Sequence, residues 1–340
     1  MFRMISAPLM ESQSNLHPLK KFNPQKEDNR IMEVSAKLVK ELRDKTGAGM
    51  MDCKRALIET ECNLEAAAEH LRKKGLMDAA KKSSRTTADG LIAFSLSSDS
   101  KAASIIEVNS ETDFVARNEK FQDVVSGIAN ISLEHESLDT VLDSKFSGTG
   151  KTVREEIDLL ISLVGENVNF RRCQRLSVKN GAISSYMHGA IKPGMGKIGV
   201  LVAIESETPC DPSEVDSIGK KLAMHIAAAN PSYLCQKCVP QDVIAKEKEI
   251  ILAQAAENGK PPEIAEKMAD GRIKKFFEEC VLLDQILVID GKTKISSYID
   301  DFNKAHGTTL KVTSFIKYVL GEGIEKQETN FAEEVKSFIK

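Results

Sequence analysis

The chain has 340 residues, a length that predicts two or three modules rather than one small domain. Its 47 basic and 50 acidic side chains give a net charge of −3, so nonspecific or direct nucleic-acid binding is not favoured. Tryptophan is absent and aromatic residues make up 5% of the chain, which argues against base-stacking surfaces and carbohydrate clefts.

The N-terminal segment 1–32 is polar, carries three prolines and precedes the first periodic apolar pattern. It is too weakly apolar for a signal peptide, and Arg3 and Arg30 are too few for an Arg-rich transit peptide. The composition predicts a disordered extension, with a misassigned upstream start as the alternative. No apolar run reaches the length of a membrane span, so we expect a cytoplasmic protein without membrane contact.

Residues 33–77 predict three short helices that form a small docking domain. Asp52 is placed to cap the second helix and Asn63 to cap the third, and Gly75 has the position of a C-terminal stop. The turn before the second helix leaves Met50 and Met51 near the surface. About 45 residues make only a small core, which favours docking over catalysis. Residues 78–89 are predicted to be a linker.

The core is predicted to be duplicated, because two strand-strand-helix patterns occur along the chain. Gly90–Phe94 resembles Gly181–Ser185, and Ser104–Val108 resembles Gly199–Ala203. Each copy then enters a helix with apolar periodicity. We therefore expect an α+β fold. Its parts are core subdomain 1 at 90–180, core subdomain 2 at 181–239 and the return of core subdomain 2 at 280–320.

Further helices are predicted around this core. Apolar residues from Val153 to Val164 mark an amphipathic helix that Gly165 ends. Residues 240–279 are highly charged and broken near Asn258–Pro262, which predicts an antiparallel helical hairpin. A strand at Leu310–Val319 precedes a C-terminal module at 321–340, whose helix carries Phe331, Val335 and Phe338 on one side. That stripe either packs back on the body or faces a partner.

The segment Thr112-Asp113-Phe114-Val115 places a large apolar ring beside a carboxylate on a surface connection. A connection that runs over the surface cannot bury the ring in a core, and the chemistry of turns does not require a phenylalanine there. One interpretation is a wedge that enters another protein. The other is that Asp113 caps a turn while Phe114 folds back onto the core, and the residues alone favour neither.

The sequence gives little support for a catalytic site or a metal site. The sequence has neither a Walker phosphate loop nor an HExxH motif, so no catalytic residue is predicted. Cys235 and Cys238 form a single C-x-x-C, for which reduced structural thiols are favoured over a metal site, and no metal or cofactor is expected.

His225 is expected to be a partly buried histidine whose ring nitrogens have hydrogen-bond partners. For His188 both a structural role and a partner contact remain open. An adaptor would use the docking domain but leave the wedge, the duplication and the hairpin without a role.

Motifs in a fixed order resemble bacterial-type elongation factor Ts from about Met32 to the C-terminus. They are Thr46-Gly47-Ala48-Gly49-Met50-Met51-Asp52, Glu107-Val108-Asn109, Thr112-Asp113-Phe114-Val115-Ala116, Gly165-Glu166-Asn167, Arg171-Arg172, Tyr186-Met187-His188-Gly189, Ala223-Met224-His225-Ile226-Ala227-Ala228 and Gly321-Glu322-Gly323-Ile324-Glu325-Lys326. The resemblance implies a ubiquitin-associated-like three-helix domain, two related core subdomains, a coiled-coil hairpin and a C-terminal module.

The same resemblance implies a guanine-nucleotide exchange factor for elongation factor Tu, active in translation elongation without covalent chemistry. It would bind the GDP form of this GTPase and then its nucleotide-free form. Thr112, Asp113, Phe114 and Val115 would dislocate the partner's Mg²⁺, and further contacts are implied for Met50, Met51, Val164, Gly165, His188, Phe331 and Val335. The hairpin is also a candidate surface for a homodimer. The insertion Lys192–Gly196, close to His188, departs from the family pattern.

Overall fold

The structure, a computed structural model, describes residues 34–208 and 211–325. The predicted extension at 1–32 and the predicted C-terminal helix with Phe331, Val335 and Phe338 lie outside the described residues. Within the described ranges the chain forms eleven α-helices and two antiparallel sheets. This arrangement confirms the α+β class.

The first three helices are α1 (Ala36–Thr46), α2 (Met50–Glu59) and α3 (Leu64–Lys82). They share a small apolar core of Val39, Leu42, Cys53, Ala56, Leu57 and Ala67. The Asn63 side chain accepts hydrogen bonds from two backbone N–H groups of α3, which confirms the predicted cap. The predicted cap at Asp52 is wrong, because α2 already begins at Met50 and Gly49 holds the capping position.

Gly75 does not end α3, and this prediction is also wrong. The helix continues to Lys82, so only residues 83–88 separate it from the first strand. A Cβ at Gly75 would lie 3.3 Å from the Cβ of Ser162 in α7 (Val153–Val164). The glycine therefore allows α3 and α7 to approach closely. This role depends on a distant residue, whereas the local sequence around Gly75 looks like a helix stop.

Two antiparallel sheets form the centre of the protein. The first has the strand order β3-β2-β1-β5 and the second has the order β4-β6-β7. Their strands are β1 (Asp89–Leu96), β2 (Ala102–Ser110), β3 (Val168–Ser177), β4 (Gly181–His188), β5 (Met195–Gly196), β6 (Ile198–Ser206) and β7 (Leu310–Val319). The insertion at 192–196 thus supplies the edge strand β5 of the first sheet.

In the described ranges, eight further helices surround these sheets or extend from them. They are α4 (Asp113–Ala116), α5 (Glu119–Ile131), α6 (Leu138–Asp143), α7, α8 (Pro212–Ala229), α9 (Gln241–Glu257), α10 (Pro262–Cys280) and α11 (Ile295–His306). One apolar cluster joins α5 and α7 to the first sheet, and another joins α8 and α11 to the second. A third, with Ile105 and Leu201, lies between the sheets, which gives four layers.

The two strand-strand-helix units share an unusual start. Gly90 and Gly181 have φ of +121° and +134°, and a Cβ at either would collide with a carbonyl of the neighbouring strand. Their strand partners are Asn109 and Glu205. When Gly90 is matched to Gly181 and Asn109 to Glu205, Ser104 of the first unit corresponds to Val200 of the second. The predicted correspondence of Ser104 with Gly199 is therefore wrong by one residue. Because side chains alternate between faces, that slip would have exchanged the core and outer faces of the strand.

The charged region 240–279 contains two helices, α9 and α10, joined by a short loop. Ile251 and Ala255 on α9, and Ala265 and Ala269 on α10, are buried. Ile250, Ile264 and Met268 remain exposed. The hairpin thus satisfies a narrow seam of small and aliphatic residues and leaves other apolar side chains on its surface.

Candidate functional site

The segment Thr112–Val115 lies directly after β2 and forms the start of the short helix α4. Phe114 is 77% exposed, and it is the only exposed phenylalanine in residues 34–208 and 211–325. Val115, one residue later, is 6% exposed and belongs to the core of the first sheet. Because its ring is exposed to water, Phe114 is available to a partner. The buried Val115 anchors the segment to the core.

Buried contacts fix α4 from below. Val115 and Ala116 pack into the first apolar cluster, and the Gln122 side chain donates a hydrogen bond of 2.9 Å to the Ala116 carbonyl. Asn118 caps α5 immediately afterwards by accepting from the N–H of Lys120. The four-residue helix is therefore held by its neighbours, since so short a helix has little stability alone.

Asp113 lies on the exposed side of α4. Its carboxylate forms an ion pair of 3.2 Å with Arg117, one helical turn later. Both side chains are exposed, so the pair contributes at most a few tenths of a kcal/mol in water. A partner can therefore separate Asp113 from Arg117 at little cost.

The segment is clamped to the end of α7 by two carboxylates. The Thr112 N–H and hydroxyl donate to Glu166 at 2.9 and 2.7 Å. In the opposite direction, the Asn167 N–H donates to Glu111 at 2.6 Å. Arg85 adds a donor to the same Glu111 carboxylate at 3.3 Å. Hydrogen bonds to a charged acceptor are stronger than neutral ones, so this reciprocal clamp orders the loop.

Val164 and Gly165 stand beside this clamp at the C-terminal end of α7. Gly165 has φ of +79°, the left-handed conformation of a helix-ending glycine, which confirms the predicted stop. Val164 is half-buried against the apolar cluster of the first sheet, while Leu163 is exposed. The structure thus brings Val164 and Gly165 next to the segment that carries Phe114, although about fifty residues separate them in the chain.

The role of Glu166 in the clamp was not predicted from the sequence. A glutamate that follows a helix-ending glycine reads as ordinary surface charge. Its partner Thr112 is 54 residues away, and no local pattern links the two. The available signal was the pair of neighbours Glu111, directly before the Thr112–Val115 segment, and Asn167 of the Gly165-Glu166-Asn167 motif, which form the other hydrogen bond of the clamp.

A second group with a role that was not predicted is a buried carboxylate on β2 of the first sheet. Glu107 is fully buried and accepts from Asn109, from Arg171 and Arg172, and from the Gly321 N–H. Burial alone would raise the pKa of Glu107, but these donors hold the pKa below its usual value. A glutamate within the apolar run Ile105-Ile106-Glu107-Val108 is the sequence signal for such a paired charge.

Asn109 directs its side-chain hydrogen bonds to residues other than the Thr112–Val115 segment. Its side-chain amide donates to Glu107 at 3.0 Å and to the Asp89 carbonyl at 3.2 Å. It therefore joins β1 and β2 next to the buried carboxylate. Glu111, by contrast, reaches the segment through the clamp.

Met50 and Met51 lie on the three-helix unit, where they are 47% and 68% exposed. Asp52 beside them accepts from the Lys74 ammonium at 2.9 Å, and this hydrogen bond lowers the pKa of Asp52. Ile58 and Met77 are exposed on the same unit. Flexible, polarizable methionines on a surface are typical of contact with a partner.

His188 is exposed at the end of β4, in the second sheet. Its Nδ1 lies 3.3 Å from the Tyr186 hydroxyl, and its carbonyl accepts from the Lys197 N–H.

His225, unlike His188, is buried. Burial lowers the pKa of His225, its Nε2 lies 2.8 Å from Gln285 Oε1, and its Nδ1 accepts from the Val288 N–H. Both ring nitrogens of His225 have partners, as predicted for a satisfied histidine.

Cys235 and Cys238 are both free thiols around a single 3₁₀ turn. A hydrogen bond with Cys235 raises the pKa of Cys238. Across the described part of the chain, histidine, cysteine and carboxylate groups nowhere gather in threes that could hold a metal ion. Every helix within residues 34–208 and 211–325 is too short or too polar to cross a bilayer.

Comparisons with known proteins give one consistent family. A family model described as Elongation factor TS matches residues 111–322. Elongation factor Ts of Rhodospirillum centenum is 48% identical over 308 residues, covering 90% of this chain and 99% of the relative. Elongation factor Ts of Rhodospirillum rubrum is 46% identical, with 91% and 100% covered, and that of Rickettsia felis is 46% identical, with 89% and 97% covered.

Proposed function

The chain belongs to the elongation factor Ts family, and we propose that it is a guanine-nucleotide exchange factor for elongation factor Tu. It binds the GDP form of this GTPase, disturbs the Mg²⁺ and phosphate site, and leaves the partner free to rebind GTP. No bond is made or broken on the exchange factor itself. The observation that carries the proposal is the exposed ring of Phe114 on a clamped loop.

Phe114 is the proposed wedge. A buried aromatic anchor at the centre of an interface contributes more than most contacts around it. The ring is exposed in the free protein, so binding removes its surface from water. When Phe114 enters between helices of the partner, those helices separate and the nucleotide site behind them is displaced.

Asp113 supplies the charge. A GTPase holds GDP through a phosphate loop and a Mg²⁺ that keeps several waters and few protein ligands. Such a site depends on ligand positions, so a displacement of about 1 Å forfeits much of the nucleotide affinity. A carboxylate that leaves Arg117 and approaches this site disturbs the Mg²⁺ surroundings. Thr112 and Val115 hold the loop from which both side chains project.

The clamp with Glu166 and Asn167 prepares the wedge before the partner arrives. Ordering a loop in advance reduces the entropy lost on binding. The same clamp fixes Val164 and Gly165 beside Phe114, so a partner meets both as one surface. This explains why a helix end and a strand end distant in sequence act together.

Other surfaces extend the proposed interface. Met50 and Met51 form one contact, His188 forms another on the second sheet, and Phe331 with Val335 forms a third near the C-terminus. The modules that carry them are a ubiquitin-associated-like domain at 33–77, the two core subdomains, a coiled-coil hairpin at 240–279 and a C-terminal module at 321–340. Exposed Ile250, Ile264 and Met268 make the hairpin a candidate homodimer surface. The proposed interface requires neither nucleic acid nor a membrane.

A nucleotide-release assay tests this function. Elongation factor Tu is loaded with fluorescent GDP, mixed with excess unlabelled GDP, and followed with and without this protein. We expect release to accelerate in proportion to the amount of protein until it saturates. Release at the spontaneous rate, from protein with an intact thermal melt, would overturn the proposal.

A further inference from the structure

Two contacts of the proposed interface lie on different sheets. The loop that carries Phe114 follows β2 in the first sheet, whereas His188 ends β4 in the second. A partner can use both at once only if the two sheets keep one position relative to each other. The apolar cluster between the sheets holds them together, but hydrophobic packing is non-directional. A satisfied polar network specifies one arrangement more sharply.

Arg172 joins the end of β7 to the strand that leads into the wedge loop. It lies opposite Glu107 in the pairing of β3 with β2, and its Nε donates to the Glu107 carboxylate. Its Nη2 donates to the carbonyl of Val319, the last residue of β7, at 3.1 Å. The guanidinium also lies 4.0 Å from the centroid of the Tyr318 ring. One side chain thus contacts both the first sheet and the end of the second.

Hydrogen bonds continue from this point to His188. The Glu107 carboxylate accepts from the Gly321 N–H at 2.8 Å. The preceding residue, Leu320, donates its N–H to the Lys197 carbonyl at 2.9 Å. The Lys197 N–H in turn donates to the His188 carbonyl at 3.2 Å. A path of hydrogen bonds and one short stretch of chain therefore runs from β2 to His188.

The connection between β4 and β6 gives the second sheet another tie to the first. Met195 and Gly196 form β5, which pairs with Ile92 and Ala93 of β1. Met195 is buried in the first apolar cluster, although it comes from between two strands of the second sheet. One tie alone would let the second sheet pivot about it. The ties through β5 and through Arg172 together define one orientation.

We propose that Arg172 is a positioning residue for nucleotide exchange: it fixes His188 relative to the loop that carries Phe114, so that both meet elongation factor Tu in one arrangement. This inference rests on the proposed exchange function. Arg172 acts through preorganisation and not through contact with the partner. A second contact on a rigid body binds at a high effective concentration, which falls when the two contacts can move apart.

Arg172→Lys removes the bridge and retains the charge. Lysine has one nitrogen in place of a fork, so it cannot donate to Glu107 and Val319 from two positions. Arg171 still donates to Glu107 at 3.1 Å, so the buried carboxylate keeps a counter-charge and the thermal melt should stay intact. Arg172→Gln, which again has a single nitrogen, takes its place if Arg172→Lys fails to fold.

A matched control lies on the same strand. The Nε of Arg175 donates to the Leu133 carbonyl, just after α5, at 2.6 Å. Arg175→Lys therefore makes the same chemical change on β3 without touching the bridge to the second sheet.

A double-mutant cycle separates positioning from general destabilisation. The apparent second-order rate constant of GDP release from elongation factor Tu is measured for His188→Ala in each background. We expect His188→Ala to slow exchange about tenfold in the wild type and in Arg175→Lys, but less than about threefold in Arg172→Lys, because a loosely held His188 contributes little. Arg172 and His188 hydrogen-bond to different residues, so independent effects would simply multiply.

Hydrogen–deuterium exchange of the partner-free chain reports the tie directly. We expect the amides of Lys197 and Leu320 to exchange at least about tenfold faster in Arg172→Lys than in the wild type or Arg175→Lys. Equal protection of these amides, equal factors for His188→Ala in all backgrounds, or no effect of His188→Ala in the wild type would each overturn the positioning role. Release at the spontaneous rate with the wild-type protein would instead refute the exchange function itself, so the two failures are distinguishable.

Discussion

Removing the clamp on the wedge loop should slow productive encounter rather than the nucleotide-release step itself. Glu166→Ala deletes the acceptor for both the N–H and the hydroxyl of Thr112, at 2.9 and 2.7 Å. Hydrogen bonds to a charged group contribute about 1.5 to 3 kcal/mol each. These two share one partly exposed carboxylate and the Glu111–Asn167 bond remains, so we expect about 1.5 to 3 kcal/mol in total.

This loss lowers the fraction of molecules whose loop is ready to bind. Apparent affinity falls with that fraction, so the apparent second-order rate constant of exchange should fall about 10- to 100-fold. At saturating exchange factor the release rate should approach that of the wild type, because Phe114 and Asp113 are still present. The distinguishing result is therefore a change in the half-saturating concentration with little change in the maximal rate.

Stopped-flow release of fluorescent GDP from elongation factor Tu, measured over a range of exchange-factor concentrations, separates these two quantities. Glu136→Ala, which removes an exposed carboxylate between α5 and α6 and outside the clamp, is the matched control. Wild-type concentration dependence for Glu166→Ala would show that the clamp does not prepare the loop. A lowered maximal rate at unchanged half-saturation would assign Glu166 to the release step instead.

Three further changes test other parts of the account. Glu107→Gln leaves two arginines without their buried counter-charge, and we expect about 3 to 5 kcal/mol lower unfolding free energy by denaturant titration at pH 7. Because the donors around it lower the folded pKa of Glu107, the stability it contributes is present above about pH 4.5 and is lost as the pH falls through the folded pKa; equal pH profiles for the variant and the wild type would contradict this. Met50→Ala with Met51→Ala should weaken complex formation by about tenfold in a titration, with an unchanged melt, since both side chains are exposed; undiminished affinity would remove the methionines from the interface. Replacing residues 242–278 with a short glycine linker should preserve most exchange activity, because α9 and α10 pack against each other; lost exchange from a variant with native circular dichroism would refute the peripheral role of the hairpin.

The sequence predicted elements whose signals are local. Asn63 and Gly165 sit where a helix begins or ends, and the structure shows the expected cap or stop at each. The strand Leu310–Val319 has the predicted bounds. These features depend on a few neighbouring residues, which a single sequence contains in full.

The failures are nonlocal. Gly75 has the local pattern of a helix stop, but its role is set by Ser162 in another helix. Asp52 looks like a cap, but it pairs with Lys74 across the three-helix unit. The duplicated strands were aligned one residue out, because runs of aliphatic residues fit several registers until the partner strand decides.

The candidate site shows the same division. The acidic-aromatic pair Asp113 and Phe114 was visible as a chemical oddity on a surface connection. Its outward placement depends on Val115 being buried, and its order depends on Glu166, which folds back from the end of α7. Likewise, Glu107 acquires its role only when Arg172 and Gly321 arrive from β3 and from the end of β7.

The most direct test of the central claim is the rate of GDP release from elongation factor Tu promoted by Phe114→Ala. The change removes a ring that is 77% exposed in the free protein, so the thermal melt should match the wild type. Truncating a well-placed interfacial aromatic costs about 2 to 4 kcal/mol, which corresponds to about 30- to 1000-fold slower exchange. Because coupling between sites is reciprocal, GDP and the variant should also coexist better on elongation factor Tu. Ile264→Ala on the hairpin, an exposed apolar truncation outside the proposed wedge, should exchange normally. Wild-type release rates from Phe114→Ala would contradict the wedge, and a collapsed melting temperature would show that the ring belongs to the core.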